Sequence, residues 1–87
     1  MNESLIEYPC AFPVKIMGRS ETSGFARTVL DIVLLHDPDF QASSMELRKS
    51  REGKYVSITC TVNATSRQQL DALYQALCDH PDVVMVL

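Results

Sequence analysis

The stretch YVSITCTVN, residues 55–63, decides the fold of this chain because it alternates apolar and polar side chains without interruption. Successive side chains of a β-strand point to opposite faces, so one face of this segment is apolar and the other carries hydroxyl groups. The apolar set comprises Val56, Ile58, Cys60 and Val62. The pattern predicts a half-buried β-strand, the third strand of the domain.

The residues before this strand predict a β-hairpin. A charged turn with a glycine, residues 51–54, follows a second alternating segment at about 43–49. That segment sets apolar against charged side chains: Met45 and Leu47 against Glu46 and Arg48. We therefore expect strands two and three to pair antiparallel.

The residues after the strand predict a helix and a last strand. Thr65 or Ser66 can cap the helix, and Gln69 stands three residues after Ser66, as in a capping box. The stripe that repeats at helical spacing comprises Leu70, Leu73, Tyr74 and Leu77. Pro81 ends this helix, and residues 83–87 form a short strand that is apolar on both faces.

The N-terminal half repeats the pattern of strand and helix. Residues 12–18 predict the first strand, which turns one apolar set towards the helices: Phe12, Val14 and Ile16. The first helix is predicted from a stripe that ends before Pro38: Phe25, Val29, Ile32, Val33 and His36. Residues 1–11 are interpreted as an N-terminal arm, and residues 12–87 as a single domain.

The resulting order, βαββαβ, predicts an α+β fold of the ferredoxin-like split-sandwich type. We expect a four-stranded antiparallel sheet with strands one and three at its centre and both helices on one face. This fold serves metabolite sensors, RNA binders, metallochaperones and a small hydrolase, so it assigns no function by itself.

The composition of the chain limits the classes of protein to which it can belong. The 87 residues are 46% hydrophobic and 22% charged, which is typical of one globular domain, and no apolar run approaches the roughly 20 residues that cross a bilayer. The acidic N-terminus lacks the features of a signal peptide, so we expect a cytoplasmic protein without membrane contact.

The cysteines and the net charge limit the cofactors and partners that we expect. The spacing of Cys10, Cys60 and Cys78 does not match a metal site, which favours free thiols. We therefore expect neither a metal nor a cofactor. The net charge of -3 argues against nucleic acid as a partner.

The loop after strand one is the candidate ligand site. It leads from the carboxyl end of a central strand to the start of a helix, where free N–H groups attract anions. Its glycines, hydroxyls and single cation could hold a carboxylate or a phosphate, with Arg19 as the countercharge. The candidate residues are Gly18, Arg19, Ser20, Ser23 and Gly24. The competing interpretation is an ordinary connection that caps the helix with Thr22 or Ser23.

The last strand is the candidate interface because it is apolar on both faces although its topology places it at a sheet edge. A homodimer that pairs edge strands or packs open faces would bury Val84 or Val86. The competing account covers the same patch with the N-terminal arm, through Leu5, Ile6 and Tyr8. A partner protein could also add a strand to this edge.

Two other functions of this fold receive weaker support. The open face of the sheet offers Tyr55 as its one aromatic side chain, whereas RNA recognition motifs stack bases on several. The segment from Gly18 to Arg27 loosely resembles the acylphosphatase loop, which would use an arginine for the phosphate and Asn63 to position water. Acylphosphatase-like hydrolysis is therefore a minor alternative.

Four segments in order resemble the YbeD-like family of small bacterial proteins: Glu7-Tyr8-Pro9, the run 14–18, the strand 56–59 leading to residues 63–65, and the terminal 84–87. The resemblance implies a ferredoxin-like domain similar to ACT regulatory domains, in a family without an established activity whose genes often lie near lipoate-biosynthesis genes. ACT domains bind small metabolites through the loop between the first strand and the first helix. The resemblance thus favours a non-enzymatic regulatory module for a small anionic metabolite or a partner protein, with a link to lipoate metabolism.

Overall fold

The structure, a computed structural model, describes residues 7–87. Its elements follow the expected βαββαβ order, with one short 3₁₀ turn before the second strand. They are β1 (Cys10–Arg19), α1 (Phe25–His36), the 3₁₀ turn (Ala42–Ser44), β2 (Glu46–Lys49), β3 (Tyr55–Ala64), α2 (Arg67–Asp79) and β4 (Val83–Val86).

The four strands form one antiparallel sheet in the order β2-β3-β1-β4. The prediction that strands one and three lie at the centre is confirmed. These two strands pair along their whole length, from Cys10 opposite Ala64 to Arg19 opposite Tyr55. The two edges of the sheet are therefore β2 and β4.

Both helices pack on the apolar face of this sheet. The core joins the alternate residues of β1 and β3 to the apolar stripes of α1 and α2, because each element carries one apolar face that only the other layer can cover. Its largest fully buried side chains are Ile16, Ile58, Leu73, Leu77, Val14, Val29, Val33, Val62 and Cys60. Phe12 and Tyr74 are partly buried against this cluster, as their positions in the two stripes predict.

Two strands begin at a different residue from the one predicted. β1 begins at Cys10, so the last two residues of the expected arm belong to the sheet. Leu5 and Ile6, which would cover strand four in the competing account, lie outside the described residues. β2 begins at Glu46 instead of residue 43, because the chain first makes the 3₁₀ turn. The hydroxyl of Ser44 donates to the carbonyl of Gln41 at 2.7 Å, a local bond that competes with strand pairing.

α1 begins at a different cap from the one expected. Its N-cap is Gly24 rather than Thr22 or Ser23, with φ of 75° and no side-chain hydrogen bond. This backbone lies in the left-handed region, where glycine is tolerated because it lacks a Cβ atom.

Ser66 is the N-cap of α2 and forms a variant of the expected capping box. The Ser66 hydroxyl accepts the backbone N–H of Gln69 at 3.0 Å, as predicted. The side-chain oxygen of Gln69, Oε1, however, accepts the backbone N–H of Thr65 at 2.6 Å, and Thr65 lies one residue before the cap. Gln69 also donates to the carbonyls of His36 and Asn63, at 2.8 and 3.0 Å. One side chain thus joins the start of α2 to the ends of α1 and β3.

The two histidines lie at the C-terminal ends of the two helices. His36 is the last residue of α1, and its Nδ1 lies 2.9 Å from the carbonyl oxygen of Ile32. His80 follows the last residue of α2 as its C-cap, and its Nδ1 accepts the N–H of Asp82 at 3.1 Å. Neither helix in residues 7–87 has the length and apolar character that a membrane span needs.

Candidate functional site

The loop between β1 and α1 is bonded to the turn of the β2–β3 hairpin. The backbone N–H of Ser20 donates to the carbonyl of Lys54 at 2.9 Å, and the Ser20 hydroxyl donates to the carbonyl of Gly53. The hairpin turn can offer that carbonyl because Gly53 adopts φ of 76°, in the left-handed region. Two segments separated by more than thirty positions in the chain are therefore held side by side.

These two segments line a cleft of about 400 Å³, which we call the cationic cleft. Its lining residues are Arg19, Ser20, Glu21, Gly53, Lys54 and Tyr55. Arg19 and Lys54 supply two cations, and neither makes a salt bridge within the described part of the chain. Glu21 is the one carboxylate of the lining. The cleft therefore has the charge balance and the hydroxyl groups to hold a small anion.

The structure separates the five predicted ligand residues. Arg19 and Ser20 lie together in the cationic cleft, whereas Ser23 and Gly24 are exposed and do not line it. Gly18 is buried, and a Cβ atom built on it would lie 2.6 Å from Cε1 and Cε2 of Phe25. The absence of a side chain at Gly18 lets this ring pack on the strand.

The candidate list from the sequence lacks four residues of the cleft: Glu21, Gly53, Lys54 and Tyr55. The last three come from the hairpin, and only the pairing of β1 with β3 places Tyr55 opposite Arg19. The available signal was the antiparallel register itself: the carboxyl end of a central strand must lie beside the amino end of its neighbour.

The arrangement required for acylphosphatase-like hydrolysis is not assembled. Asn63 lies opposite Ala11, at the other end of β3 from Tyr55 and the loop. Asn63 lies eight positions along β3 from Tyr55, which corresponds to about 26 Å. Its backbone N–H donates to the buried carboxylate of Asp37 at 2.9 Å, and its carbonyl accepts from Gln69. Asn63 therefore shapes the turn into α2, far from Arg19.

The two candidate interface residues of β4 face different environments. Val86 lies opposite Ile16 and packs against the core, so folding of the monomer already uses it. Val84 remains 46% exposed and Met85 48% exposed, next to a register shift at Met17 and Gly18. Of the two residues, Val84 is the one that a partner could cover.

The three cysteines are free thiols in different surroundings. Cys60 is fully buried, Cys10 is half-buried and Cys78 is exposed. Burial raises the pKa of the Cys60 thiol from 9.0 to about 11, so this thiol stays protonated at neutral pH. Among residues 7–87, no three His, Cys, Asp or Glu side chains converge as metal ligands would.

Comparison with known proteins finds relatives over nearly the whole chain. A family model described as "Protein of unknown function (DUF493)" matches residues 3–87. A UPF0250 protein of Nitrosomonas europaea is 61% identical over 85 residues, which cover 98% of this chain and 97% of the relative. A UPF0250 protein of Bordetella pertussis is 53% identical over 98% of this chain and 92% of its own length.

A solved structure shares the fold. The solution structure of protein HP0495 from H. pylori matches with a TM-score of 0.69, covering 94% of this chain and 85% of that protein. The two sequences are 18% identical, so this likeness concerns the fold alone. The split-sandwich architecture is thus present in an experimental structure.

Proposed function

Because the chain belongs to the DUF493 (UPF0250) family of bacterial proteins, whose members carry no assigned activity, we propose its function from the cationic cleft. The protein is a non-enzymatic regulatory module that binds a small anionic metabolite between the β1–α1 loop and the β2–β3 hairpin. The main observation in support of this proposal is that two hydrogen bonds from Ser20 hold Arg19 beside Lys54.

The chemistry of the lining supports a ligand with a carboxylate or phosphate group. A guanidinium offers paired N–H donors to two oxygens, and an ammonium adds a second charge from the hairpin side. Because both backbone segments are already joined, little backbone freedom is lost when a ligand is bound. Tyr55 is half-buried and can cover the organic part of such a ligand.

The regulatory role and the link with lipoate rest on the resemblance to ACT-like proteins. We therefore test lipoate and octanoate together with amino acids and phosphorylated metabolites. Octanoate carries the carboxylate of lipoate without its ring. A comparison of the two compounds therefore separates recognition of the carboxylate from recognition of the ring.

The test is a titration of the full chain, followed by two-dimensional amide NMR. We expect saturable shifts confined to residues 18–22 and 52–55 with one compound of the set. Arg19→Ala and Lys54→Ala should each weaken binding by about tenfold, the cost of a charge-assisted hydrogen bond. Arg27→Ala is the matched control, because Arg27 is an exposed arginine outside the cleft that pairs with Asp31.

Shifts that appear elsewhere, or an equal loss of affinity with Arg27→Ala, would reject the cationic cleft as the site. A spectrum that no compound perturbs would reject a ligand of these classes.

A second candidate function is a protein-interaction module that uses the edge of β4. It is favoured by the exposure of two adjacent apolar residues, Val84 and Met85, on an edge strand that pairs with β1 on one side only. Val84→Glu should abolish capture of such a partner and leave the metabolite titration unchanged. Leu35→Glu is the control, because Leu35 is an apolar residue that is 80% exposed and belongs to α1 instead of an edge strand.

A further inference from the structure

The second edge of the sheet, β2, carries an exposed leucine beside an open groove. All four residues of β2 are exposed, and Leu47 keeps 55% of its surface in contact with solvent. Leu47 lies opposite Ile58 and therefore points to the helix side of the sheet. The groove there has a volume of about 280 Å³, and its apolar lining comes from Phe25, Ala26, Leu47, Val56 and Ile58.

The hairpin determines which backbone groups of β2 are unpaired. The N–H of Ser50 donates to the carbonyl of Tyr55 at 2.8 Å, so residue 50 directs its backbone groups towards β3. Backbone direction alternates along an antiparallel strand, and Arg48 and Glu46 therefore also face β3. The backbone N–H and C=O groups of Leu47 and Lys49 consequently point outward, where another strand could bond to them.

We propose that a second copy of this chain occupies this edge, with β2 pairing antiparallel to β2 about a two-fold axis at Leu47. In this register Leu47 lies opposite Leu47 of the second copy, as a hydrogen-bonded pair on the groove side. On the open face, Glu46 lies opposite Arg48 of the second copy, and the symmetry makes this contact twice. These are non-hydrogen-bonded positions, where side chains approach most closely.

Several registers of the β2–β2 pair would satisfy the outward backbone groups. The charges of β2 favour the register with the axis at Leu47 over the others. An axis at Arg48 would set Arg48 against itself, and an axis at Lys49 would oppose two lysines. An axis at Glu46 would oppose two glutamates. Like charges that lie directly opposite each other are destabilising, so only the axis at Leu47 matches opposite charges and apolar side chains at once.

A second copy also supplies what the monomer lacks at this edge. Neither Glu46 nor Arg48 makes a salt bridge within residues 7–87, and each finds an opposite charge in the pair. The same surface appears on both sides, as an isologous interface requires.

The test is a charge swap followed by sedimentation velocity of the full chain, up to about 1 mM, where even weak association is visible. We expect wild-type dimers. Glu46→Arg alone and Arg48→Glu alone should each raise the dimer dissociation constant by about tenfold, because each sets like charges against each other. The double variant Glu46→Arg/Arg48→Glu should restore wild-type association.

Three results would overturn the proposal: a wild-type monomer at every concentration, single variants that associate normally, or a double variant that stays weakened. Val84→Glu is the control at the other edge, and loss of the dimer in this variant alone would assign the interface to β4. A measurement without substitutions also tests whether the interface lies at β2. In a mixed sample of labelled and unlabelled chains, a filtered NOE should join the Leu47 methyl groups of two copies, and its absence in a dimer would exclude the axis at Leu47.

Discussion

The ring of Phe25 occupies the space that a side chain at position 18 would need. Gly18 is buried at the end of β1, and its hypothetical Cβ atom would overlap Cε1 and Cε2 of that ring at 2.6 Å. Phe25, the first residue of α1, is itself 3% exposed. The glycine therefore allows the start of the helix to approach the central strand.

We expect Gly18→Ala to destabilise the fold by about 2 kcal/mol, because the added methyl group forces the ring from its position in a closed core. Urea unfolding measures this change. The same substitution in a Phe25→Leu background should cost clearly less than in the wild type, because the shorter side chain leaves room for the methyl group. Equal costs in both backgrounds would contradict the clash.

Gln69→Ala should lower the free energy of unfolding by about 2 kcal/mol. The substitution leaves the carbonyls of His36 and Asn63 and the N–H of Thr65 without their partner. Gln68→Ala on the exposed side of the same helix should change it by less than about 0.5 kcal/mol. If both variants unfold at the same urea concentration, Gln69 does not join α1, β3 and α2.

Cys60 should make stability depend on alkaline pH. The folded state raises the pKa of this thiol from 9.0 to about 11, so it holds the proton more tightly than the unfolded chain does. The contribution is complete below pH 9.0 and is lost as the pH rises through about 11, an effect on the order of 2 kcal/mol. Urea unfolding at pH 8 and at pH 11 should show this loss in the wild type.

The matched variant is Cys60→Ala, which should be less stable at pH 8 and lose less stability by pH 11. Burial also raises the pKa of Tyr74, and its effect is common to both proteins and cancels in the comparison. In the native wild type, iodoacetamide should modify the exposed Cys78 and spare Cys60 until the chain unfolds. Rapid alkylation of Cys60 would show that the core opens at this point.

Local sequence patterns determined the elements and their order. The alternation at residues 55–63 and the stripes of the two helices were sufficient to predict the sheet, its central strands and the buried residues, because periodicity of apolar side chains reports directly which face is covered. The family resemblance also followed from short segments of sequence. The predictions of the first helix cap and of the first residues of β2 were wrong. Serine and threonine side chains can form local hydrogen bonds with the backbone, and these bonds compete with helix and strand pairing.

The tertiary structure alone decided what stands beside the loop. Arg19 and Ser20 were within reach of sequence reasoning because they follow a central strand, but Lys54 joins them only through strand pairing across the sheet. The same pairing removed Asn63 from the site, and the packing of α1 on the sheet placed Phe25 over Gly18. The physical reason is that side-chain periodicity is a local property of the chain, whereas the neighbours of a loop are set by the register between strands that are distant in sequence.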